Sequence, residues 1–97
     1  MTSSERASLR SLAMKMQPTT HIGKNGISET LIKQIDEQLE SRELIKIAVL
    51  QNADFSAKEI AEEVARQAGA EVVQVLGSKI TLYRVSKKSG IKHLLQL

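Results

Sequence analysis

Residues 21–28 read HIGKNGIS, two glycines three positions apart with a lysine and an asparagine between them. The residues that follow decide how this stretch folds. Leu31, Ile35 and Leu39 recur every four positions with Ile32 beside them, the stripe of an amphipathic helix. Asn-Gly is a good hairpin turn signal, but a hairpin needs a returning strand of period two, and residues 29–41 do not supply one. A nucleotide-enzyme phosphate loop needs G-x-x-x-x-G-K-[ST], or G-x-G-x-x-G with an acid about 20 residues further on, and neither occurs. A backbone clamp for a nucleic acid fits the context. Gly23 and Gly26 have no side chains to block a sugar–phosphate backbone. Lys24 adds a positive charge and Asn25 an amide donor, and the helix that follows opens with N–H groups that favour phosphate.

Working outward, the chain reads as helix, strand, helix, strand, helix, strand, strand. Residues 4–16 carry Leu9, Leu12, Ala13 and Met16 at helical spacing, with Ser3 or Ser4 as the cap and Pro18 as the stop. TTHI (19–22) is a short strand rich in β-branched residues. Ser28 caps the second helix, over 27–42. LIKIAVL (44–50) is an apolar run suited to a strand covered on both faces. Ser56 and Glu59 form a capping box for the third helix, with Phe55 and Ile60 spaced as its hydrophobic staple and Gly69 as its stop. Residues 72–76 and 80–85 are strands joined by so short a link that they must form an antiparallel hairpin. Helices alternating with strands imply an α/β fold, a mixed four-stranded sheet with flanking crossover helices. The 97 residues make one domain, 1–97, with a core over about 4–85 and a tail, 86–97, that has no assignment.

Composition narrows the function. The 41% hydrophobic content is enough for one core, and there is no cysteine, hence no disulfide framework and no thiolate metal site. No apolar run approaches the roughly 20 residues of a membrane span, and no signal-peptide hydrophobic region opens the chain, so the expected location is cytoplasmic. The net charge of +3 is unevenly distributed. Residues 1–26 hold Arg6, Arg10, Lys15 and Lys24 against Glu5 alone. Residues 27–76 hold five bases and ten acids, and residues 77–97 hold Lys79, Arg84, Lys87, Lys88 and Lys92 with no acid. If folding brings the two ends together, they make a cationic face of the kind that binds polyanions.

The G-x-x-G loop of KH domains holds nucleic-acid backbone in the manner described for residues 23–26. Larger blocks resemble the CRM domain, the small domain of chloroplast RNA-splicing and ribosome-maturation proteins whose stand-alone bacterial members are YhbY-like. These blocks are IGKNGISETLIKQIDEQLESRELIKI and AGAEVVQVLGSKITLYR, with the lead-in LRSLAMKMQP, and they span about residues 9–85. The resemblance implies a fold similar to the C-terminal domain of the third bacterial translation initiation factor. It implies RNA binding, and for bacterial members association with precursors of the large (50S) ribosomal subunit. It maps the family's loop onto Gly23, Lys24, Asn25 and Gly26, and its basic first helix onto Arg10 and Lys15. Ser28 and Ala68 depart from the family's pattern, where a threonine or another hydroxyl residue is expected.

Only Phe55 and Tyr83 are aromatic, so no series of ring platforms exists for successive bases. Recognition should lean on phosphates and RNA shape. Tyr83 either packs in the hairpin or faces solvent, and His21 is either a packing residue or an RNA contact. The histidines lack the partners of a metal site, and the serines lack a base at readable spacing. The expectation is therefore a non-enzymatic RNA-binding module without cofactor or metal. Its proposed contacts are Gly23, Lys24, Asn25 and Gly26, widened by Arg6, Arg10, Lys15, Arg84, Lys87 and Lys88. The competing reading is a protein-interaction adaptor that uses Glu37, Glu40, Glu62 and Glu63 on the second and third helices. General DNA binding is a third. The oligomeric state is not legible.

Overall fold

The structure is a computed structural model, describing residues 1–51, 55–87 and 93–95. It has three helices and a four-stranded mixed sheet: α1 (Ser3–Ala13), β1 (Thr20–Ile22), α2 (Glu29–Arg42), β2 (Leu44–Val49), α3 (Ala57–Ala68), β3 (Glu71–Leu76) and β4 (Lys79–Tyr83). The element order is the one read from the sequence.

The sheet order is β1-β2-β4-β3. β1 and β2 are parallel, with α2 as the crossover that parallel neighbours need, and Ile22 lies opposite Val49. β4 runs antiparallel to both β2 and β3. Gly77, at φ 60°, takes the first central position of the β3–β4 turn, where a side chain would be strained.

Alternation along β2 explains why its sequence is apolar at nearly every position. Ile45, Ile47 and Val49 face α2 and α3, joined by Ile80 and Leu82 of β4 and by Ile35, Leu39, Ile60 and Val64 of the two helices. Leu44 points the other way, into a second cluster with Leu9 and Ala13 of α1, Val73, Tyr83 and Leu95. The sheet is thus covered by two helices on one face and one on the other. α1 packs on its face where β2 begins and β4 ends, and its last turn reaches Lys46 and the start of β4. Tyr83 is buried in the second cluster, and its hydroxyl has no hydrogen-bond partner among the described residues.

Several boundaries differ from the sequence reading, each for a local reason. Thr2, not Ser3 or Ser4, caps α1. Its hydroxyl accepts from Glu5 N–H at 3.1 Å while Glu5 accepts from Thr2 N–H at 2.8 Å, a complete capping box. α1 stops at Ala13, before Met16 and Pro18, and the Lys46 ammonium donates to the carbonyls of Ala13 at 3.2 Å and Met16 at 3.5 Å at that end. The buried face of α1 is Leu9 and Ala13, four apart, and Leu12 beside it is 46% exposed. α2 ends at Glu43, which takes φ 64° although helices usually place glycine or asparagine there. Gly69 ends α3 in the left-handed conformation, as its sequence position implies.

Candidate nucleic-acid interface

The turn after β1 has a defined geometry. Gly26 N–H donates to Gly23 carbonyl at 3.0 Å, closing a four-residue turn with Lys24 and Asn25 at its tip. Neither central residue has positive φ, so this is not the primed turn of a two-residue hairpin. Gly26 has φ 67°, and a Cβ there would meet nothing within 4 Å. Its glycine is required by backbone conformation rather than by crowding, and its backbone lies open to a partner. Lys24 and Asn25 are exposed, whereas Gly23, Gly26 and Ile27 are partly covered. Ile27 packs on the core, and Ser28 hydroxyl accepts from Leu31 N–H at 3.1 Å, so α2 begins immediately behind the turn. The turn is held rigidly at both ends and bare at its tip.

Topology decides which cations accompany it. The turn leaves the C-terminal end of β1, beside the C-terminal end of β2 and the start of β4. Arg84 and Lys87 follow the other end of β4, where Tyr83 pairs with Leu44 at the start of β2. The six residues of β2 separate the two places by roughly 17 Å, at about 3.3 Å per residue. The expectation that the two basic ends of the chain frame the loop together is thus corrected: an antiparallel last strand carries the carboxyl-terminal cations away from it. Lys87 is exposed at that far end, and Lys88 and Lys92 lie outside the described residues.

Two of the arginines are committed to internal bonds. Arg84 is only 18% exposed in its side chain. Its Nη1 donates to Asp36 Oδ1 at 2.7 Å and Ala68 carbonyl at 2.6 Å, and its Nη2 to Asp36 carbonyl and Glu40 Oε1, both at 3.1 Å. It ties β4 to α2 and to the C-terminus of α3. Arg6 Nη1 donates to the carbonyls of Val72 at 2.7 Å and Val73 at 2.9 Å, where β3 bulges against β4. Those carbonyls lie on an edge strand, and Arg6 supplies a donor that the ladder lacks. Arg10 and Lys15 are exposed. Among the acids weighed for an adaptor, Glu40 is bound to Arg84, and Glu63 to Arg66 and Gln67. Those bonds from Arg66 and Gln67 hold the Glu63 carboxyl below its ordinary pKa. Glu37 and Glu62 are exposed.

The register places His21 and Lys79 near the turn. Thr20 and Ile22 are buried on the α2 side, so His21 projects from the opposite face and is exposed. His21 pairs with Ala48, Ala48 with Lys79 and Lys79 with Leu76, one row across all four strands. His21 and Lys79 are two strands apart, roughly 10 Å. The end of α1 reaches this half of the sheet, where Ala13 and Met14 line a small cavity with Lys46, Leu76, Lys79 and Thr81; the Met14, Leu76 and Lys79 side chains remain exposed. Lys79 entered the sequence reading only as part of the basic carboxyl-terminal segment. Strand alternation could have given its face, but only pairing gives its neighbours.

On the other side of the turn, Lys24, Asn25, Gly26 and Ile27 line a cleft of about 570 Å³ against Phe55, Glu59, Ile60, Glu63 and Gln67 of α3 and its approach. Phe55 is 58% exposed, so the staple expected from its position leaves most of the ring uncovered. Among the described residues no group of three His, Asp or Glu side chains could hold a metal ion. None of their helices is long and apolar enough to cross a membrane.

Comparison with known proteins identifies the architecture. The profile of the CRS1 / YhbY (CRM) domain matches residues 1–84. The chain belongs to this family. A Bacillus subtilis protein named "Probable RNA-binding protein YqeI" is 39% identical over 89 residues, covering 92% of this chain and 93% of its own. A Haemophilus influenzae protein named "RNA-binding protein" is 31% identical over 93 residues, covering 95% and 93%. The solution structure of the hypothetical protein SAV1595 from Staphylococcus aureus superposes with a TM-score of 0.77 at 49% identity, over 92% of this chain and 93% of that one. The CRM domain is thus an RNA-binding family here, in a chain whose turn and the start of α2 lie at the C-terminal ends of β1 and β2.

Proposed function

We propose that this CRM domain binds structured RNA, with the 23–26 turn as its backbone clamp and ribosomal RNA of large-subunit precursors as its target. The observation that carries the clamp is the turn itself: closed by Gly26 N–H on Gly23 carbonyl, bare at positive φ, and presenting Lys24 and Asn25 at the start of α2. A phosphate resting on it meets the amide donors and positive end of the helix, together with the Lys24 charge. Lys79 extends the positive surface along the sheet beside the exposed His21 ring, and Arg10 and Lys15 add exposed charge on α1 and the segment after it. Arg6 and Arg84 serve the fold, and Lys87 contributes at most long-range attraction. On this reading the module acts by binding, in keeping with the RNA-binding names of its relatives. The ribosomal target rests on the resemblance to stand-alone bacterial CRM proteins.

Lys24→Ala combined with Asn25→Ala tests the clamp. Both side chains are exposed, so the melting temperature should stay unchanged while affinity for structured RNA falls. Each lost phosphate contact should make the slope of log affinity against log salt shallower by roughly 0.7 to 0.9. Equal affinity at moderate salt removes the turn from the interface. For the target, crosslinking in cells with sequencing of attached RNA should return ribosomal fragments clustered at one location; scattered fragments refute it.

A further inference from the structure

The cleft between the turn and α3 has a composition unlike the cationic side of the same turn. Lys24 and Asn25 form one wall; Phe55, Ile27 and Ile60 supply apolar surface; Glu59, Glu63 and Gln67 form the opposite rim. Glu63 in that rim is ion-paired with Arg66, which leaves Glu59 as the carboxylate that disfavours a phosphate. A nucleobase is not disfavoured: its ring face stacks on an aromatic side chain, and its N–H donors suit carboxylate acceptors. The volume of about 570 Å³ lies within the range of roughly 300 to 1,000 Å³ usual for small-ligand sites. Hydrogen bonds order the rim before any ligand arrives. Glu59 Oε1 accepts from Ser56 hydroxyl at 2.9 Å, and Glu63 Oε2 from Gln67 amide at 2.7 Å. A stapling phenylalanine needs no such exposure, yet more than half of Phe55 faces out beside the clamp.

We infer that this cleft is a base subsite: the nucleotide whose phosphate rests on residues 23–26 turns its unpaired base onto Phe55, with its amino group toward the Glu59–Glu63 rim. The site favours adenine, cytosine or guanine over uracil. Uracil offers one N–H flanked by two carbonyl oxygens, which the carboxylates repel. The inference rests on the clamp reading above and goes beyond it, because it adds base preference to a surface otherwise limited to phosphate and shape.

The test is fluorescence anisotropy with a short single-stranded oligouridine and variants carrying one adenosine, cytidine, guanosine or abasic residue at a central position. The wild-type chain should bind the amino-bearing variants about 5- to 10-fold more tightly than the uridine or abasic ones, in line with one stacked and hydrogen-bonded base. Phe55→Leu keeps an apolar contact with the start of α3 and should abolish the difference while leaving the salt slope and melting temperature unchanged. Phe55→Trp should retain it. Lys24→Ala, by contrast, should lower affinity for all the oligonucleotides alike. If the wild type binds every variant equally, or Phe55→Leu leaves the preference intact, the base subsite is wrong while the clamp stands. Loss of binding that Lys24→Ala does not share places the RNA elsewhere and overturns both. If Phe55→Leu alters self-association in sedimentation runs without RNA and leaves the base preference unchanged, the occupant is a second copy of the chain and the inference fails.

Discussion

Glu43→Ala removes a carboxylate that the fold has buried completely, with no exposed surface. In the native chain that carboxylate accepts from Ser86 N–H at 2.6 Å and Leu94 N–H at 2.8 Å, and His93 Nδ1 lies 2.6 Å from Oε2. It therefore holds the residues after β4 against the end of α2, and with them Leu95 in the α1 cluster. Losing it removes two backbone hydrogen bonds to a charged acceptor, each worth about 1.5–3 kcal/mol. Together they set the loss at about 3 kcal/mol or more. At about 4–8 °C per kcal/mol for a domain of this size, the melting temperature should fall by at least about 12 °C. Backbone strain separates two variants. Glu43 has φ 64°, so Glu43→Gly loses the same bonds but relieves strain worth about 1–2 kcal/mol, and it should be the more stable of the two. Urea titration monitored by circular dichroism gives both values, and hydrogen exchange at the Ser86 and Leu94 amides should accelerate in each. A loss below about 1 kcal/mol in Glu43→Ala refutes the reasoning, because the tail would then be held by something else.

The same carboxylate sets an acid limit. Burial pushes its pKa up, but the bonds from Ser86, His93 and Leu94 outweigh burial and leave it below the ordinary value of 4.5. A depressed folded pKa contributes stability that is present above the unfolded value and is lost as pH falls through the folded one. Unfolding free energy should decline below about pH 4.5, and Glu43→Gln should flatten that decline. Arg84→Ala should cost about 1–3 kcal/mol, since it strands the carbonyls of Ala68 and Asp36, yet leave the salt slope of RNA binding unchanged. A shallower slope would return Arg84 to the interface. Leu9→Ala should cost about 2–5 kcal/mol by cavity formation, and Leu12→Ala under about 0.5 kcal/mol, by chemical denaturation. Similar losses would mean that α1 is rotated from the orientation described. Gly26→Ala should destabilise by about 1–2 kcal/mol through strain alone, without a steric clash, and a neutral substitution would argue against the positive φ.

The sequence alone determined the elements and their order. Caps, stops and apolar periods are local signals, written in residues a few positions apart, and HIGKNGIS was readable as a turn before a helix for that reason. Where local signals compete with distant partners the reading slipped. The end of α1 at Ala13 is met by Lys46 of β2, and the sheet below buries Leu9 and Ala13 but not Leu12. Nothing near Glu43 in the chain announces that a glutamate will end a helix at positive φ, because its compensation comes from Ser86, His93 and Leu94.

Only tertiary structure decided which charges share a surface. Composition counts Arg84 and Lys24 alike as cations. The antiparallel pairing of β4 with β2 sends one to the opposite end of the sheet from the other, and Asp36 and Glu40 then engage it. The same pairing sets Lys79 in a row with His21, and the packing of α3 opens Phe55 beside the turn. Charge acts through space and strand direction through hydrogen bonds, so a one-dimensional pattern carries the first without the geometry that gives it effect.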